Sequence, residues 1–258
     1  MKQFATETVV ERSIGGVYGA AMNYGQFCPI AKATEILGER WTFLIIRELL
    51  MGGRRFTDLQ RGLGDISPAL LTARLKFFEE QGLVARLRPS GQRTFEYHPT
   101  AACQSLLPVL MSVGEWGLTW ARHNLSDQDF DLDFLLFYLE RSIDPEKLPG
   151  DHTVLQFKFS DLAERKDWWI LVDHGHVDVC VTCPGRDVDV YFITTLRAMH
   201  DVWMGDRPWR EAIASGDLRI EGDPALTRRV STWLRLSVFA KSSRAPVPDE
   251  FLKASAYA

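Results

Sequence analysis

Between Arg54 and His98 the chain changes period in an order that few folds accommodate. FTDLQRGL (56–63) is short and amphipathic, and GDIS (64–67) is a turn. SPALLTARLKFFEEQG (67–82) then carries apolar residues at helical spacing. LVARLRP and RTFEYHP follow as short strand-like runs about Pro89-Ser90-Gly91-Gln92, a set of turn-forming residues. Two helices joined tightly and closed by a hairpin form a helix-turn-helix with a wing.

The second helix of this unit has marked ends. Ser67 is a good N-cap, and Pro68 suits the first helical position, where its missing N–H costs nothing. Gly82 is placed to close the helix in a left-handed conformation. About 14 residues lie between, roughly 21 Å of helix. Leu71, Leu75 and Phe78, with Leu70 and Phe77 beside them, form a packed face. Ser67, Ala69, Thr72, Ala73 and Lys76 lie on the other, and Arg74 is counted with them. Side chains this small, polar or cationic suit close entry into a major groove. The same pattern would also serve an ordinary solvated face. In the wing, Val84, Leu87, Phe95 and Tyr97 are expected to pack inward, leaving Arg86, Arg88 and Arg93 for phosphates or a minor groove. Arg54 and Arg55 precede the first helix, where backbone phosphates often lie.

Charge is distributed to match. Residues 28–100 hold 11 Lys and Arg against 8 Asp and Glu, a local +3 within a chain of net −4. Residues 101–258 hold 17 against 24, a local −7. An acidic protein binds DNA when its positive charge is local, and so modest an excess fits a few phosphate contacts.

The run from Cys28 to Leu87 resembles the HxlR-type family of winged helix-turn-helix transcription regulators. Its landmarks are Cys28-Pro29, Gly38-Glu39-Arg40-Trp41, Arg54-Arg55-Phe56, Ile66-Ser67, Leu71-Thr72, Arg74-Leu75 and Glu80-Gln81-Gly82-Leu83. The likeness covers about residues 24–123. It implies a homodimer that reads double-stranded DNA, usually a palindromic operator.

A dimer is also legible from residue pattern. TAACQSLLPVLMSVGEWGLTWARH (100–123) is more apolar than one small domain easily buries. Leu106, Leu110, Val113 and Trp116 are candidate interface residues, with Ile30 from the helix around 30–37. Pro108, Gly114 and Gly117 are expected to kink or interrupt the run.

The rest of the chain points to a second domain. With 258 residues, 46% hydrophobic and 25% charged, two globular domains fit. No apolar run reaches the length of a membrane span and no secretory signal pattern opens the chain, so a cytoplasmic location is expected. Residues 1–23 read as a flexible arm and 241–258 as a tail. Four cysteines in such a chain do not make a disulfide framework. Some relatives of the resembled family use a cysteine at the place of Cys28 as a redox sensor, and Lys32 one turn on could favour its thiolate. A buried, inert cysteine is the competing reading. Cys180-x-x-Cys183 lies in a strand-like run and His174-x-His176 beside a turn, and neither is read as a metal site.

After an acidic linker come a helix (FLLFYLERSI), an alternating strand (TVLQFKFSD), a hairpin turning at Asp173–Gly175, and a strand (DVDVYFITT). Two short helices, the strand DLRIEG and one last helix (PALTRRVSTWLRLSVFA) complete the pattern. About residues 130–240 resemble the sterol carrier protein type-2 family. The likeness rests on Phe157-Lys158-Phe159-Ser160, Trp169-Ile170-Leu171-Val172, Asp187-Val188-Asp189-Val190 and Gly216-Asp217-Leu218…Gly222-Asp223-Pro224. It implies a five-stranded sheet flanked by helices around an apolar tunnel. Phe134, Phe137, Tyr138, Trp169, Tyr191, Met199 and Trp203 are candidate lining residues, though aromatics fill cores as readily as they line pockets.

The expected fold class is therefore α+β: a winged helix-turn-helix domain (24–125) followed by a sterol carrier protein type-2-like α/β sandwich with an apolar cavity (126–240). The expected function is a homodimeric, DNA-binding transcriptional regulator modulated by a small apolar effector. A redox regulator acting through Cys28 and a lipid or small-molecule carrier are the alternatives. No phosphate loop, nucleophile elbow or zinc-protease motif suggests an enzyme, and no cofactor is expected.

Overall fold

The computed structural model describes residues 23–91, 93–122, 125–126 and 129–242. The expected N-terminal arm up to Met22, the tail beyond Ser242, Gln92 of the wing turn, His123 and part of the acidic linker lie outside the described residues.

The first half is built as its periods dictate. Helices α1 (Pro29–Leu37), α2 (Thr42–Leu50), α3 (Phe56–Leu63) and α4 (Pro68–Glu80) precede the antiparallel strands β1 (Val84–Leu87) and β2 (Glu96–Pro99). The ends of α4 follow from residue chemistry. Ser67 Oγ accepts from the Leu70 N–H at 3.3 Å and Pro68 occupies the first turn. At the other end Gly82 adopts φ +70°, so that the Leu83 N–H reaches the Phe78 carbonyl at 2.8 Å. Leu71, Leu75 and Phe78 are buried with Ile45, Ile46 and Leu49 of α2, Leu59 and Leu63 of α3, and Ile66 of the turn. Helix α5 (Ala101–Gln104) places Cys103 in that core, where burial pushes its thiol up to about 11.

Helix α6 (Leu107–Trp120) departs from expectation. The break comes before it, at Ser105–Leu106, and Pro108 lies in the first turn, where it interrupts nothing. The helix then runs unbroken through Gly114 and Gly117. Gly114 is used for close approach, because the Phe239 ring lies where a Cβ would project.

The second half forms around one mixed sheet of order β5-β4-β3-β6-β7. Its strands are β3 (His152–Phe159), β4 (Asp167–Asp173), β5 (His176–Cys180), β6 (Val190–Thr194) and β7 (Leu218–Gly222). Central β3 pairs antiparallel with β4 and parallel with β6. Leu155, Phe157 and Phe159 point to one side and are fully buried, as the period-2 pattern requires. Helices α7 (Leu132–Ser142), α8 (Leu196–Trp203) and α9 (Trp209–Ala214) contribute Leu136, Met199 and Ala212 to that core. The expected last helix is instead two four-residue helices, α10 (Pro224–Thr227) and α11 (Val230–Trp233). Asp223 N-caps α10, and Gly222 (φ +126°) lies against the Asp189 carbonyl, where a side chain would collide. The Asp189 and Gly222-Asp223-Pro224 landmarks are thus backbone chemistry. Among the described residues, no helix is long and apolar enough to cross a membrane.

Candidate nucleic-acid interface and its neighbouring domain

The open face of α4 presents what its sequence promised at four positions. Ser67, Ala69, Thr72 and Lys76 are exposed. Thr72 returns its hydroxyl to the Pro68 carbonyl at 2.8 Å, and Lys76 lies 3.8 Å from Glu80 in solvent. Ala73 is half-buried. Arg74 turns back instead, pairing with Glu39 of the loop between α1 and α2. That pair ties α4 to the α1–α2 loop, beside the core packing of Leu71, Leu75 and Phe78.

Arg55 is exposed at the start of α3, its N–H donating to Asp58 Oδ2 at 3.2 Å. Arg54 points elsewhere. Its Nη1 donates to the carbonyls of Leu49 (2.7 Å) and Gly53 (2.9 Å), capping the end of α2. Sequence proximity to Arg55 could not show that α2 ends within its reach.

The wing presents Arg86, Arg88 and Arg93 to solvent. Arg86 and Arg88 hold their guanidinium groups 3.8 and 4.3 Å from the centre of the Phe95 ring. Of the four residues expected to point inward in the hairpin, Leu87 departs. Val84 is buried, and Tyr97 and Phe95 are half-buried, but Leu87 is 50% exposed. The register explains this. Arg86 pairs with Tyr97 and Leu87 with Glu96, and cross-strand partners share a face. Arg86 therefore stands on the side of Tyr97 and Phe95, and Leu87 on the other.

Three of the dimer candidates, Ile30, Val113 and Trp116, lie on an exposed apolar surface. No residue of α1 or α6 is buried. Ile30 is 76% exposed, Trp116 62% and Phe27 fully, with Leu107, Val109 and Val113 also open. Leu106 and Leu110 are half-buried, Leu106 against the first core. Part of α6 is covered within the chain by Phe239, and Ser242 Oγ reaches Glu115 at 3.3 Å. Cys28 is half-buried at the head of α1, and the Lys32 ammonium that could assist it is held by Glu35 at 2.9 Å.

The seven residues proposed to line a ligand tunnel do not meet in one place. Met199 is fully buried in the core of the second domain. Trp169 and Tyr191 stand on the opposite side of the sheet, in register with Gln156. Phe134, Phe137 and Tyr138 project from α7 toward the first domain, and Trp203 packs on Tyr138 (5.5 Å) while its indole N–H donates to Ser142 Oγ. Phe157 and Phe192 stack at 4.6 Å and Trp233 meets Phe192 edge-on, so these rings pack against one another in the core.

What sequence reasoning missed is the joint between domains. Glu48 of α2 is 0% exposed, yet it is a carboxylate. It accepts from Tyr138 Oη (2.7 Å), Arg141 Nη1 (2.8 Å) and Arg47 Nε (2.9 Å). Arg47 also donates to the Gly62 carbonyl of α3, so one cluster joins α2, α3 and α7. Gly62 has no side chain because Glu48 and Phe137 occupy that space. Burial pushes the Tyr138 phenol well above its usual range, which keeps it a donor to Glu48. At the rim, Arg61 of α3 meets Glu140 of α7 at 2.8 Å. Burial raises the Glu140 carboxyl, with Arg61 opposing. Next to it lies a cleft of about 330 Å³ lined by Met51, Gly53, Asp58, Arg61, Phe137 and Arg141. The signal was present in TFLIIRELL. Glu48 falls three residues after Ile45, on the packed face, and a carboxylate there needs cationic partners.

Comparison with known proteins finds two family matches in the chain. Residues 36–125 match the HxlR-like helix-turn-helix family, and residues 138–235 match the SCP-2 sterol transfer family. YvaP of Bacillus subtilis, an uncharacterized HTH-type transcriptional regulator, is 36% identical over 101 residues, 38% of this chain and 94% of that protein. The HTH-type regulator Mb3122 of Mycobacterium bovis, also uncharacterized, is 39% identical over 89 residues, 34% of this chain and 56% of that one. Among solved structures, the reduced form of the transcriptional regulator YodB from B. subtilis is 30% identical, over 36% of this chain and 92% of that one, with a TM-score of 0.33.

Proposed function

The chain belongs to the HxlR-like helix-turn-helix transcriptional regulators, and on that premise we propose a homodimer that binds a palindromic operator and changes its affinity when the second domain takes up a small apolar ligand. In this reading the first domain spans residues 24–125 and the second 126–240. Exposed Ser67, Ala69, Thr72 and Lys76 enter the major groove, while Arg55, Arg86, Arg88 and Arg93 hold phosphates. The apolar surface of α1 and α6 supports pairing of two copies, which sets two α4 helices about one DNA turn apart.

The observation that carries the regulatory part is α7. Leu135, Leu136 and Leu139 on one side belong to the core of the second domain, while Tyr138 and Arg141 grip Glu48 of the first. In this reading a ligand enters by displacing buried or partly buried side chains such as Met199 and Trp203. Displacement there bears on Tyr138, which packs on Trp203. Such coupling works only if the ligand favours one arrangement of the two domains. Sensing through Cys28 draws less support, because Lys32 is engaged by Glu35.

The test uses the full-length protein and DNA from upstream of its own coding sequence. Fluorescence anisotropy should show tight binding, lost to monomer formation in Trp116→Glu. Loading with dodecanoate, verified by native mass spectrometry, should shift operator affinity about fivefold or more. Equal affinity with and without bound dodecanoate contradicts the regulatory part. Equal affinity for operator and unrelated DNA contradicts the whole.

A further inference from the structure

We propose that His152, Asp173 and His174 form a binding site for a divalent transition-metal ion, separate from the DNA face and from the domain joint. One ligand atom from each lies within 4.8 Å of the other two. Two imidazoles and a carboxylate suit Zn²⁺, Ni²⁺ or Cu²⁺ rather than Mg²⁺ or Ca²⁺.

The backbone brings the three together. His152 opens β3 and pairs in register with Asp173, the last residue of β4. Asp173 also pairs with His176 of β5, so His152, Asp173 and His176 stand in a row on one side of three adjacent strands. His174 follows in the turn with φ +48°, a backbone held by its N–H to the Asp151 carbonyl at 2.7 Å. The sequence pairs His174 only with His176. The sheet adds His152, 22 positions away, and sets the two rings 5.0 Å apart.

The contacts bring the candidate ligand atoms close together. His152 Nδ1 lies 2.9 Å from Asp173 Oδ1, and His174 Nε2 lies 3.7 Å from the same oxygen. Asp173 Oδ1 is itself shielded from solvent, with the His152 ring nitrogen as its near neighbour. Metal bonds of about 2.1 Å place neighbouring ligand atoms roughly 3–3.4 Å apart, so small side-chain rotations complete the set. The Asp151 carboxylate, 3.9 Å from His174, and water can fill remaining positions. Arg186 touches the site at its edge, 4.0 Å from the other Asp173 oxygen. A second cluster, His200, Asp201 and Asp206, lacks this freedom, because Arg122 holds both oxygens of Asp206.

The full-length chain without a histidine tag, titrated with ZnCl₂ by calorimetry, should bind one ion at this site. His152→Ala and His174→Ala should each weaken binding more than the about 10–100-fold typical of losing an outer-shell partner. The double variant should abolish the heat while its circular dichroism is unchanged. Co²⁺ should give a d–d spectrum without a thiolate charge-transfer band, and Cys180→Ser and His200→Ala should bind as the parent does. No heat with the parent, affinity retained in the double variant, or loss only on cysteine replacement overturns the proposal.

Discussion

The two domains place their chemistry on opposite sides of their surfaces. The winged domain points its informative residues outward, where α4 and the wing leave Thr72, Lys76, Arg86 and Arg88 in solvent. The second domain turns its informative residues inward, where Phe157, Phe192, Met199 and Trp233 are fully buried. An exposed side chain keeps its chemistry available, so periodicity alone assigns it to a face and a partner. A buried aromatic reads the same whether it packs a core or lines a pocket. A sequence therefore declares an exposed face more openly than the role of a buried one.

The largest effect belongs to the packed interior. Phe192→Ala removes a ring stacked on Phe157 and should cost about 3–5 kcal/mol of stability in urea unfolding. Trp169→Ala, on the other side of the sheet, should cost clearly less. Equal and small losses would show an interior with open space and blur the contrast between the domains.

Next comes the joint, where the two domains stop being independent. Glu48→Ala strands Arg47, Arg141 and the Tyr138 hydroxyl without their shared acceptor. Leaving buried charge unpaired costs about 3 kcal/mol or more. The loss should appear in both tryptophan fluorescence and circular dichroism, because α2 and α7 belong to different cores. Unfolding identical to the parent would mean that the domains meet without consequence.

The smallest effect is at Glu140. Burial raises its carboxyl above the ordinary value of 4.5, so across the window from 4.5 up to the folded value the native state binds more protons than the unfolded one. Its contribution to stability therefore falls as pH rises through that window. Glu140→Gln should flatten this slope, changing stability by under about 1 kcal/mol. Urea midpoints from acid to neutral pH, parent against variant, measure it. A steeper slope in the variant would reverse the assigned sign.

Much of the architecture was legible because its signals are local. Ser67, Pro68 and Gly82 bound α4 within a residue or so of expectation, and the alternation of β3 assigned Leu155, Phe157 and Phe159 to one face. What escaped depends on distant partners. Arg54 caps α2, Arg74 pairs with Glu39, and Leu87 is turned out by its register with Glu96. PALTRRVSTWLRLSVFA has helical spacing, but the chain breaks at Arg228–Arg229 and then bridges Leu234 to Ile143. The proposed lining residues scatter over α7, α8 and the outer side of the sheet, a placement that only the tertiary fold decides.

In the proposed function the wing and α4 carry the DNA contacts. Operator affinity measured against salt concentration tests it most directly, with the parent and the triple variant Arg86→Gln, Arg88→Gln, Arg93→Gln. Each lost phosphate contact lowers the salt slope by about one, and a homodimer carries each substitution twice, so the expected result is a slope shallower by about six and weaker binding at every salt concentration. An unchanged slope and unchanged affinity would contradict it.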